Sequence, residues 1–148
     1  MKKLLLLLGL LIGINAYAQT NWSLSPLISA PQTLTGTWTN LGSEINTAKS
    51  NYINIMLKLD INSSQNFRLK MVCRHTSGGD NFSRLIQTPT ASVVNVQTEY
   101  YELAVDADTN MVEVFALKGC PYVVFQVQVG TVGIPAGIVT EAKYALAF

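Results

Sequence analysis

Hydrophobic and polar residues alternate with a period of two along much of this chain, the repeat of a strand with one face turned inward. In residues 52–61, Ile53, Ile55, Leu57, Leu59 and Ile61 fall on one face, and Asn54, Lys58 and Asp60 on the other. A helix would spread those polar positions around its axis, so the segment is predicted as a strand. Residues 66–75 repeat the pattern, with Phe67, Leu69, Met71 and Cys73 on one face and Arg68, Lys70 and Arg74 on the other. The polar stretch Asn62–Gln65 between them predicts a hairpin. A second hairpin is predicted between Glu99–Asp106 and Met111–Leu117, across Ala107–Asn110. Tyr122–Val129 places Val123, Phe125, Val127 and Val129 inward and Gln126 and Gln128 outward. Val139–Phe148 aligns Tyr144, Leu146 and Phe148. Ser92–Val96 reads as a short strand, and Leu24–Ser29 and Thr33–Leu41 as weaker ones, with a helical turn possible around Glu44–Ser50. About eight or nine strands at regular spacing, without a convincing helix, predict an all-β antiparallel β-sandwich or jelly roll.

The N-terminus breaks the alternation. Lys2 and Lys3 precede an apolar run from Leu4 to Ile12, and Ala16-Tyr17-Ala18 supplies a small–x–small cleavage pattern. Residues 1–18 therefore read as a secretory signal peptide of bacterial form, and residues 19–148 as a single domain. The run is short for a transmembrane helix, which needs about 20 apolar residues. The expected location is secreted or periplasmic. Removing residues 1–18 from the 148-residue chain leaves 130, and the basic residues fall from ten to eight against nine acidic ones. That near-neutral balance, with no basic run, argues against a nucleic-acid partner. Export also changes the reading of Cys73 and Cys120, which become an expected disulfide rather than two thiols.

Candidate chemistry is sparse. The single histidine, His75, has Ser77 and Asp80 nearby, but all three crowd a strand end where a catalytic triad has no room for its geometry. The carboxylates Asp60, Asp80, Glu99 and Glu102 show no spacing that recommends a glycosidase pair. Asp106, Asp108 and Asn110 alternate like the start of a calcium loop, yet no glycine follows and Asp and Asn equally suit a turn. No cofactor is expected, and no enzymatic activity. Arg68, Lys70 and Arg74 form one cationic strand face, a solvated surface or an anion-binding one. Trp22, Tyr52, Tyr100 and Tyr122 fall off the core faces, and Trp22 and Tyr100 join the cationic row as ligand-binding candidates. Trp38 is expected inside.

Three stretches carry a resemblance: Thr37–Ile45 leading into the strand at 52–61, Arg74–Gly79 after the next, and Gly130–Gly133 before the last. Their order resembles small β-sandwich proteins of phage and prophage structural type. The resemblance implies a structural role and no active site, and export departs from it, since virion proteins assemble in the cytoplasm. The leading expectation from these readings is an exported module that self-associates or binds other surfaces, the alternative a stand-alone carbohydrate-binding module acting on a surface glycan, and the third and least favoured a small secreted hydrolase.

Overall fold

The structure, a computed structural model, describes residues 23–61, 65–83, 86–88, 96–98, 100–105, 109–129 and 137–148. No helix occurs among them. The described strands are β1 (Ser25–Pro26), β2 (Gln32–Thr33), β3 (Thr39–Asn46), β4 (Tyr52–Ile61), β5 (Gln65–Arg74), β6 (Phe82–Ser83), β7 (Ile86–Thr88), β8 (Val96–Thr98), β9 (Tyr101–Val105), β10 (Thr109–Ala116), β11 (Tyr122–Val129) and β12 (Gly137–Ala147). Two antiparallel sheets pack face to face. The first runs β1-β12-β4-β10, with β2 also beside β12; the second runs β3-β11-β5-β6, with β9 also beside β5. β7 and β8 form a separate two-stranded ribbon.

Short strands share the edge positions. β1 pairs with β12 at Tyr144 and Lys143 while β2 pairs at Val139 and Ile138. β9 takes one end of β5 and β6 the other. Counting each pair as one edge leaves eight positions, and the chain changes sheet at nearly every step, the double Greek-key path of a jelly roll.

That path corrects both predicted hairpins. β4 and β5 lie in opposite sheets, as do β9 and β10. A polar connection after an alternating strand serves an arch between sheets as well as a tight turn, so composition did not separate the two. The helical turn is also corrected. β3 continues through Asn46, and a turn follows in which the Ser50 amide donates to the Thr47 carbonyl. The predicted strand at Ser92–Val96 lies mostly outside the described residues.

The inward faces hold the core. Ile53, Ile55, Leu57, Leu59 and Ile61 of β4 meet Phe67, Leu69 and Met71 of β5 and Val123, Phe125, Val127 and Val129 of β11, all buried. Phe115 links the sheets, edge-on to Phe125 at 5.3 Å between ring centres and edge-on to Tyr101 at 5.3 Å. β12 keeps both Val139 and Ala142 buried because a bulge between Val139 and Glu141 shifts the alternation by one residue. Tyr144 and Leu146 then pack against the core from that new phase.

Cys73 and Cys120 form a disulfide, with Cα atoms 5.5 Å apart. It ties the end of β5 to the turn before β11. Thr47, the one buried polar residue among those described, donates its hydroxyl to the Cys120 carbonyl, and its amide donates to the Pro121 carbonyl at 2.8 Å. The end of β3 is thereby fastened to the same corner.

Candidate functional site

Two outward surfaces carry the residues singled out from the sequence. On the second sheet, Arg68, Lys70 and Arg74 project from β5 as expected, but the structure gives them three different settings. Arg74 donates through Nε to Asn81 at 2.7 Å and through a terminal nitrogen to Glu44 at 2.9 Å. Glu44 also accepts from the Gly78 amide at 3.1 Å. Hydrogen bonds from Ser77, Arg74 and Gly78 hold the Glu44 carboxyl below its ordinary pKa. Arg74 is thus part of a pin that fastens the Thr76–Asp80 loop onto β3. His75 sits edge-on to Phe82, at 5.2 Å.

Arg68 is half committed. Its Nε pairs with Glu102, which also accepts from the Asn66 amide at 3.1 Å. The Glu102 carboxylate raises the Arg68 pKa further. The Arg68 guanidinium lies over the Tyr100 ring, 5.0 Å from its centre. Lys70 has no carboxylate within ion-pair distance among the described residues. Its ammonium sits 4.3 Å from the centre of the Trp38 ring.

Trp38 is therefore not in the core. It precedes β3 at one edge of the second sheet, while Tyr100 precedes β9 at the opposite edge. The edges are three strand spacings apart, ~14 Å, yet the two ring centres are only 5.7 Å apart. The rings reach inward from both edges and meet above β5 and β11. Both are half-buried, inclined to each other at 53° rather than coplanar. Parity explains the placement: Trp38 shares the outward phase of Asn40, whose side chain accepts from Gln126 at 2.9 Å. That phase, opposite to buried Leu41, can be read from the sequence only once β3 is known to begin at Thr39.

The first sheet presents a different surface. β10 pairs with β4 in unbroken register from Thr109 to Ala116, and no described strand pairs with its other side. Val112 and Val114 point outward, 61% and 55% exposed. Beside them a shallow groove of about 260 Å³ is lined by Leu24, Met56, Val112, Lys58, Glu141 and Lys143. Glu141 lies between Lys143 and Lys58, and these two ammonium groups pull its pKa down to about 2. Tyr52 is exposed on the same sheet.

The remaining candidates do not come together. Asn110 is exposed on β10, and Asp106 and Asp108 lie outside the described residues, as does Trp22. Asp60 belongs to the first sheet and Glu102 to the second, Asp80 is in the loop after β5, and Glu99 is outside the described residues. No protein-family model matches the chain, and no curated protein does.

Proposed function

We propose that the chain is an exported, non-enzymatic module that works through its surfaces, with copies associating along the β10 edge of the first sheet. The observation that carries this is the combination of outward Val112 and Val114 with an unbroken stretch, Asn110–Phe115, that no described strand borders on its outer side. An unpaired strand edge flanked by apolar side chains is a template for another chain. The mixed charges of Lys58, Glu141 and Lys143 beside it suit pairing with a second copy of the same patch. Export is supported by the secretory pattern of residues 1–18 and by the Cys73–Cys120 disulfide. None of the described residues forms a helix long and apolar enough to cross a membrane. A structural role is also what the resemblance to phage-type β-sandwich proteins implies.

Light scattering across a concentration series tests the association. The wild-type protein is expected to gain mass with concentration, and Val112→Lys with Val114→Lys is expected to stay monomeric at unchanged melting temperature. A wild-type protein that remains strictly monomeric at high concentration overturns the proposal.

A further inference from the structure

We infer that the outer face of the second sheet is a binding site for a carboxylated glycan, seated on the Trp38–Tyr100 pair with its acid group on Lys70. The inference is independent of association at β10, which lies on the other sheet.

The half-buried rings sit together on a sheet face that is otherwise polar at this level. Gln126 donates to Asn40 at 2.9 Å, Gln128 donates to the Gly36 carbonyl at 2.6 Å, and Asn66 donates to Glu102. These amides surround two aromatic rings and two cations. A pyranose ring has an apolar C–H face and a rim of hydroxyls, which match an aromatic surface and neighbouring amides. The cations decide the charge of the ligand. Arg68 is already balanced by Glu102, so of the two cations beside the rings it is Lys70 that has no carboxylate partner among the described residues. Its place over Trp38 fixes where it stands, because the indole face attracts a cation.

An acidic peptide is the competing ligand, and the backbone argues against it. β5 and β11 are paired with each other, and β11 is also paired with β3. The strands beneath the rings therefore offer little free backbone for an added peptide strand, the usual source of affinity in such recognition. Val72 and Val124, the next outward pair along these strands, are buried, so a ligand on this face is confined to the half-buried ring level.

Calorimetric titration with a galacturonate hexamer, its fully methyl-esterified form and a glutamate hexapeptide tests the inference. The free acid is expected to bind, and the ester to bind about tenfold more weakly through loss of one ion pair. Lys70→Gln is expected to weaken the acid by a similar factor and leave the ester unchanged. Trp38→Ala is expected to weaken both sugars, with Trp38→Phe restoring part of the loss. Melting temperatures of the variants establish that they fold. Absence of galacturonate binding, equal binding of acid and ester, or stronger binding of the peptide would each overturn the assignment.

Discussion

The two long edge strands of the sandwich, β3 and β10, are equal in length and opposite in treatment. β3 is interrupted: between its pairs with Val123 and Phe125 of β11 the register shifts, and Gly42 in that bulge has φ of 71°. The Leu27 backbone lies so close that an ideal Cβ on Gly42 would stand 2.0 Å from the Leu27 carbonyl oxygen. The Arg74–Glu44 pin and the Thr47–Cys120 hydrogen bond fasten the same strand. β10 has no bulge, and its protection is one inward-facing carboxylate, Glu113, near the core residue Phe115. Bulges and inward charges are both ways to discourage edge pairing. The difference teaches that the β3 edge is closed by a bulge and by side-chain bonds to its neighbours, whereas β10, which no described strand borders on its outer side, is guarded by a charge that a proton can remove.

Removing the staple on the closed side has the largest expected effect. Replacing Cys73 and Cys120 together by Ala should lower unfolding stability by about 4 kcal/mol, the chain-entropy value for a loop of this length. Chemical denaturation of the variant and the wild type measures it, and equal midpoints would remove the disulfide from the account of this corner. Gly42→Ala attacks the same edge through the backbone. A Cβ there meets main chain rather than a movable side chain, and the left-handed φ adds strain, so a loss of about 2–4 kcal/mol is expected. A loss below about 0.5 kcal/mol would mean that the Leu27 segment yields easily.

A smaller gain is expected at the turn entering β11. Lys118 has φ of 44° and Gly119 has φ of 84°, and the Cys120 amide donates to the Leu117 carbonyl at 3.0 Å. Two left-handed residues in succession favour Asn-Gly, so Lys118→Asn should stabilise by about 0.5–1 kcal/mol in thermal unfolding. No gain would show that the native strain at Lys118 is absorbed elsewhere.

The smallest effect concerns the open edge itself. Burial raises the Glu113 pKa, and the same carboxylate, after burial, contributes to raising that of Tyr101. The folded state therefore holds the Glu113 proton more tightly than the unfolded chain does. Between the unfolded and folded values stability falls as pH rises, so the contribution is complete at low pH and lost above the folded value. Glu113→Gln should be more stable than wild type at neutral pH, and the gap should close as pH falls through the carboxyl range. It should also associate more readily in light scattering, because β10 then lacks an inward charge. A stability gap independent of pH would assign the effect to packing instead.

Much of the fold was legible in the residues. Alternation marked β4, β5, β11 and most of β10 because a half-buried strand must sort its side chains by parity. What parity leaves open is the partner. It tells which face of β4 is apolar but not that its neighbours are β12 and β10 rather than β5. The same gap explains the candidate site. Arg68, Lys70 and Arg74 are equivalent along one strand, and only Glu44, Glu102 and Trp38, brought in from other strands, make one a pin, one a paired cation and one a cation on an indole.

The sequence by itself determined the class of fold, the inward faces, the pairing of the two cysteines and the cationic row on β5. Each depends on local period or on a count of residue types, which survive without knowledge of contacts. The tertiary structure alone decided that successive strands cross between sheets, that Trp38 and Tyr100 meet above β5 and β11, and that β10 is the last described strand of its sheet. Those depend on which distant segments close over one another, and the free energy of that closure is shared among the buried faces rather than written at any one position.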